Sequence, residues 1–302
     1  MKLTVAILLI CLGASASFAF EIKNPFKTPK TSLKTNDMFA PRLEQFEVFL
    51  GASIPYGNTD STPLGQKRET SGYIASGSLA YGLLDWLAIY GSQTYQSYDY
   101  TYSNPRSTAK VTGFGNSIFG AKGIMNFDGP FAYYDASYSI GLADKSKLSS
   151  TDRAETAITP RPDLKLQAGA GLPIEMFSGG FLITGHLYQE GERTTSTTGF
   201  NDTTTKYNAG TGLDWKIYAQ IEKGWKLGLS YDEKKTHSFT TVTNGFSSNN
   251  AEVTLSAITV YGILPLFDMF ELIGSAAKID NKEAVNTTYN LYDMNVALRW
   301  AF

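Results

Sequence analysis

Residues 290–302 read NLYDMNVALRWAF. Asn290, Tyr292, Met294, Val296, Leu298, Trp300 and Phe302 share one phase, while Asp293, Asn295 and Arg299 fall on the other. Successive side chains of a strand point to opposite faces, so this alternation predicts a strand with one apolar and one polar face. The pattern recurs upstream. Leu164, Leu166, Ala168, Ala170 and Leu172 alternate with Lys165 and Gln167, and Trp225, Leu227, Leu229 and Tyr231 with Lys226, Ser230 and Asp232. Tyr207, Ala209, Thr211, Leu213, Trp215 and Ile217 alternate with Asn208, Asp214 and Lys216. These second phases are too polar for the inside of a sandwich, so the apolar face must look outward and the polar face inward.

The connections supply a separate count. Long polar segments occupy residues 55–69, 99–110, 143–161, 190–206, 233–250 and 280–287. Short turn signals fall between them at residues 83–85, 126–130, 173–180, 222–224 and 264–268. Six long and five short connections alternate strictly, which predicts twelve strands with both chain ends on the short-turn side. The predicted strands are 43–54, 70–82, 86–98, 112–125, 131–142, 162–172, 180–189, 206–221, 225–232, 251–263, 269–279 and 288–302. An even number of antiparallel strands, apolar outside, with long loops at one end and short turns at the other, reads as an all-β, closed transmembrane β-barrel. Its short turns would face the periplasm.

The N-terminus agrees with export. Lys2, the apolar run from Leu3 to Leu12 and the small-x-small end Ser17-Phe18-Ala19 predict a signal peptide over residues 1–19. That run is shorter than the roughly 20 residues a membrane helix needs. The single cysteine, Cys11, lies inside it, so the mature chain would carry no disulfide and no thiolate metal ligand. Aromatic residues reach 13% and charged residues only 18%, which excludes a disordered chain. Lys and Arg total 26 against 28 Asp and Glu, leaving no basic excess for nucleic acid. The expected location is the cell outer membrane.

Three stretches carry a resemblance. The chain end in Phe302, preceded at alternate positions by Trp300, Leu298, Val296 and Met294, resembles the terminal assembly signal of Gram-negative outer-membrane proteins. That resemblance implies a partner, the barrel-assembly machinery, beside the surrounding outer-membrane lipids. Residues 81–90, YGLLDWLAIY, resemble a periplasmic hairpin of such barrels. Residues 113–122, GFGNSIFGAK, are similar to barrels associated with uptake of aromatic compounds.

Reading the polar phase inward lines the lumen with Glu47, Asp135, Asp214, Asp232, Glu252, Glu271 and Asp293, and with Lys122, Lys165, Lys216, Lys226 and Arg299. Such charges either conduct a hydrated small solute or pair across the wall. The first expectation is therefore a passive channel or facilitated transporter for small solutes, the solute itself not specified. The second is a closed structural, receptor or adhesin-like barrel acting through its loops. The third is an outer-membrane lipid hydrolase, which needs a His and a Ser side by side on one lipid-facing strand. His186 shares its phase with Thr184 and Tyr188, and His237 is followed directly by Ser238, so neither fits and no catalytic residue is expected. Two distant histidines predict no metal site, and no cofactor is expected.

Trp86, Phe131, Phe181, Trp225, Phe267, Phe270, Trp300 and Phe302 lie beside the short turns and predict an outward aromatic girdle there. Tyr95, Tyr98, Tyr100 and Tyr102 lie at the loop end, and the last three offer a possible external stacking platform. Residues 20–42 form a Pro-containing basic arm: Lys23, Lys27, Lys30, Lys34 and Arg42 against Glu21 and Asp37. Its prolines deny a helix. Two readings stay open, a solvated periplasmic leader and a segment drawn electrostatically into the acidic lumen.

Overall fold

The structure is a computed structural model. It describes residues 38–61, 66–103, 106–127, 130–141, 146–148, 152–155, 161–197, 203–267, 270–281 and 287–302. The proposed signal peptide and arm residues 20–37 lie outside these.

Twelve barrel strands run in chain order, five of them in two segments. They are β1 Phe46–Ser61, β2 Gln66–Leu84, β3 Leu87–Ser103, β4 Arg106–Phe114 and Ser117–Asn126, β5 Phe131–Ile140, and β6 Asp163–Ile174. Then follow β7 Phe177–Tyr188 and Gly191–Thr197, β8 Thr203–Tyr207 and Gly210–Glu222, and β9 Lys226–Thr236 and Phe239–Thr243. The last are β10 Phe246–Asn250 and Val253–Phe267, β11 Phe270–Asn281, and β12 Thr287–Ala301. Each pairs antiparallel with its neighbours in sequence, and β12 pairs with β1 from Glu47↔Ala301 to Ser61↔Thr287. The seam is tied off by reciprocal bonds, Phe46 N–H to the Phe302 carbonyl at 2.8 Å and Phe302 N–H to the Phe46 carbonyl at 2.9 Å. Closure leaves the barrel wall no free sheet edge. The fold is the expected all-β closed barrel.

The outward phase is apolar, as the alternation predicted. Leu50, Ile54, Leu166, Leu172, Leu213, Ile217, Leu227, Leu229, Ile258, Val260, Met294, Val296 and Leu298 are all exposed on it. Trp86, Phe181, Trp225 and Phe302 are exposed at the short-turn end, and Trp300 stacks on Phe270 at 5.4 Å and lies tilted against Phe302 at 4.3 Å. Phe131 departs from the girdle. It is the first residue of β5, pairs with inward Gly171, and points into the lumen at 3% exposure. Tight turns join the strands at this end, with Gly224 at φ 72° closing the β8–β9 turn, a conformation L side chains rarely adopt.

Strands run well past the predicted limits at the other end. Much of what reads as long loop is paired hairpin: β1–β2 stays in register to Ser61↔Gln66 and β3–β4 to Ser103↔Arg106. Segments such as 239–243 and 246–250 carry Thr and aromatic residues that favour extended backbone but no apolar phase, so no period-two pattern marks them. The upper β9–β10 hairpin turns through Asn244 and Gly245, at φ 48° and 85°, the left-handed pair expected of a two-residue hairpin. Strands β7 to β10 pause at 189–190, 208–209, 237–238 and 251–252 before continuing upward. Residues 146–148 and 152–155, inside a predicted loop, add in parallel to the upper parts of β7 and β4, closing the rim above short β5 and β6.

The candidate solute path through the lumen

The short-turn third of the lumen is filled. Residues 38–41, the end of the basic arm, cross it: Met38 is 1% and Phe39 5% exposed, and Pro41 is fully buried. Small inward residues make the seat. Gly82 admits the Arg42 carbonyl, since a Cβ there would lie 1.6 Å from that oxygen, and Gly169 faces the Met38 terminal methyl. Met38 packs with Phe131, Tyr133, Leu182 and Tyr218, and Ile124 borders them. Phe39 lies under two lumen cations, with the Arg299 guanidinium carbon 4.6 Å and Lys122 Nζ 5.5 Å from its ring centroid. The arm was expected in the periplasm or held by its own basic residues. For residues 38–41 the finding is different: apolar and aromatic side chains hold them, and the lumen supplies the cations.

Charges around this segment pair with one another. Lys122 on β4 reaches over Ala80 and Ala88, both essentially unexposed, to Glu47 on β1 at 3.0 Å. Arg299 on β12 faces Glu271 on β11 in register, Nε to carboxylate 3.5 Å. The Asp135 carboxylate accepts from the Tyr90 hydroxyl at 3.0 Å and the Tyr133 hydroxyl at 3.2 Å, with Lys165 Nζ at 4.0 Å. Glu222 accepts from Ser178 and Gln220, and Gln220 accepts in turn from the Tyr261 hydroxyl. A second buried apolar group, Ile263, Ile273 and Ala297 against Phe49, completes this level. The lumen is therefore less uniformly polar than the alternation suggested.

The outer half is organised around His186. This side chain, on the inward phase of β7, has Nδ1 2.7 Å from Asp163 on β6 and Nε2 3.1 Å from Asp214 on β8. Carboxylates only accept, so both ring nitrogens donate there. The imidazole stacks on Tyr188 at 5.6 Å with an interplanar angle of 10°. Arg161, just before β6, places its guanidinium 4.6 Å from the Tyr188 ring centroid and 4.4 Å from that of Phe239. Burial pulls this guanidinium below its ordinary range, opposed by Tyr188 and the Asp163 carboxylate.

Of the other expected lining residues, Lys216 stands opposite Asp232 in register, Lys226 opposite Ile263, and Asp293 opposite Ala277 and Pro55. Glu252 departs. It sits in the β10 interruption and bonds Lys235 at 2.7 Å, whose register partner is outward Leu213. Glu252 shares the even phase of outward Ile258 and Val260, so the alternation itself puts it on the outer face, against the expected lumen position. Asp163 and Arg161 were missed. Asp163 shares the phase of Lys165 and Gln167 and was legible, whereas Arg161 precedes the strand and carries no periodic signal. His237 bonds the Thr211 hydroxyl at 2.7 Å, and the Tyr100 ring is taken by Arg68 at 4.8 Å. The side chains of Tyr98, Tyr102 and Phe267 lie outside the described residues.

No family model matches the chain, and no curated protein does. Among solved structures it is similar to an outer-membrane channel from Pseudomonas putida F1, with TM-score 0.64 and 11% identity over 89% of this chain and 100% of that one. It is also similar to the transport unit of the autotransporter AIDA-I from Escherichia coli, with TM-score 0.50 and 10% identity over 92% and 95%. A deletion mutant of the TodX monoaromatic hydrocarbon channel gives TM-score 0.49 and 7% identity over 87% and 91%. Identities this low speak for fold alone. With a closed wall, an apolar outer face and its likeness to the Pseudomonas putida channel, the chain has the fold of a twelve-stranded outer-membrane β-barrel.

Proposed function

We propose that this barrel resides in the outer membrane and works as a passive channel for small solutes, with residues 38–41 setting its conductance. The observation that carries this reading is the contrast along the lumen. The outer half presents hydrogen-bonding groups on a closed inner wall, and the inner third is shut by a short segment held only through noncovalent contacts. Charged groups in the inner third are already paired, so they fix the seat and leave little net field for selecting ions. The terminal strand, with Met294, Val296, Leu298, Trp300 and Phe302 on its outward phase, would engage the assembly machinery, and lipid would cover the wall.

The test is single-channel current in planar bilayers, with a panel of ions and small neutral solutes. The mature chain should conduct weakly, and a chain starting at Leu43 should conduct more. The filled inner third also favours a second reading, a closed barrel acting through its upper hairpins. Absence of current from both chains, each shown to be folded, would decide for that alternative.

A further inference from the structure

The outer lumen holds a cation that the channel reading does not use. Arg161 is only 5% exposed, and two aromatic rings, Tyr188 and Phe239, hold its planar group. Tyr188 shares the inward phase of His186, so the group lies on the lumen side of the wall. Nε and Nη2, the two donors along one side of the guanidinium, are buried and have no hydrogen-bond partner among the described residues. Asp163 acts on Arg161 electrostatically, but its Oδ2 is engaged by His186 and its Oδ1 is likewise buried without a partner. A glycine makes the fit possible: a Cβ on Gly210 would come within 2.4 Å of Nη2.

We propose that the Nε/Nη2 side of Arg161 binds the carboxylate of a small organic acid in the outer half of the lumen. Two parallel N–H donors match the two oxygens of a carboxylate, the geometry in which arginine binds most strongly and selectively. A buried donor left without an acceptor is costly, and an anion at this edge offsets both that cost and the desolvation of the charge. The aromatic seat fixes the group in advance, so little side-chain freedom is lost on binding. The site stands above the level of residues 38–41, where an incoming solute meets it first. This inference rests on the channel reading for its purpose, but its test reads binding and not flux.

The full chain, refolded in detergent micelles, is titrated calorimetrically at constant ionic strength with sodium benzoate, neutral benzamide and inorganic phosphate. Saturable benzoate binding is expected, with none measurable for benzamide and weaker binding of phosphate. Arg161→Gln should lower benzoate affinity about tenfold or more, because a hydrogen-bonded charge partner is lost. Arg161→Lys should also lower it, since a single ammonium replaces the fork. Gly210→Ala keeps the charge but presses a methyl on Nη2, and should weaken benzoate as well. Heat-modifiable mobility in gels reports that each variant is folded. Equal binding of benzoate and benzamide, or unchanged benzoate affinity in folded Arg161→Gln, overturns the proposal. Phosphate binding tighter than benzoate overturns the carboxylate assignment. A barrel that conducts in bilayers yet binds no benzoate defeats this inference and leaves the channel reading intact.

Discussion

Phe39→Ala isolates the contact that closes the lumen. The ring is 5% exposed and lies against Arg299 and Lys122 at 4.6 and 5.5 Å. Truncating a buried Phe costs about 3–5 kcal/mol, and cation–π contacts contribute part of that, about 0.5–2 kcal/mol each. The lower end applies, because Met38 stays seated among Phe131, Tyr133, Leu182 and Tyr218 and the short segment can resettle. At about 1.4 kcal/mol per factor of ten, a loss of about 3 kcal/mol lowers the ratio of docked to displaced segment roughly 100-fold. A segment displaced in about 0.1% of molecules would then be displaced in roughly 10%. The wall itself keeps all its strand pairs, so the folded barrel should survive. Single-channel recording should show rare large openings in the wild type and frequent ones in the variant. Leu50→Ala, an outward position at 58% exposure, is the control and should leave the current unchanged. Wild-type currents from a folded Phe39→Ala barrel would refute the view that residues 38–41 close the path.

Three further outcomes are expected. Leu298→Arg places a charge on the outward face and should cost about 2–4 kcal/mol near the midplane, whereas inward Asn295→Arg should be tolerated; urea-induced unfolding in lipid vesicles measures both, and equal losses would mean that the faces are misassigned. Deleting Phe302 removes the carbonyl and amide that bond Phe46 and the ring packed against Trp300, so the amount of folded protein in the outer membrane should fall; undiminished heat-modifiable protein would count against it. The conductance gain of a chain starting at Leu43 should persist at about 1 M salt, where screening length drops to roughly 3 Å, because apolar burial holds residues 38–41; convergence of the two chains at high salt would restore the electrostatic reading of the arm.

The chain's own residues determined the barrel. Alternation such as Met294–Val296–Leu298 against Asp293–Asn295–Arg299 reports a wall with an apolar outer and a polar inner face, and that pressure acts locally on every strand. The sorting of long and short connections then fixed the strand count. The upper hairpins were invisible for the converse reason: nothing apolar on one side forces residues such as 239–243 or 246–250 into alternation. Tertiary structure alone decided what fills the lumen. Residues 38–41 carry no periodic signal, and their seat is assembled from Gly82, Phe131, Gly169 and Leu182, residues scattered over β2, β5, β6 and β7. Phe131 read as girdle because its distance from a turn is a sequence property, while its direction depends on register with Gly171. The same holds in the outer half. Asp163, His186 and Asp214 meet only because β6, β7 and β8 align in register, and Arg161 finds Tyr188 and Phe239 only where those strands break. Side-chain phase is set by neighbours one and two residues away. The contacts across the lumen are set by closure of the whole sheet.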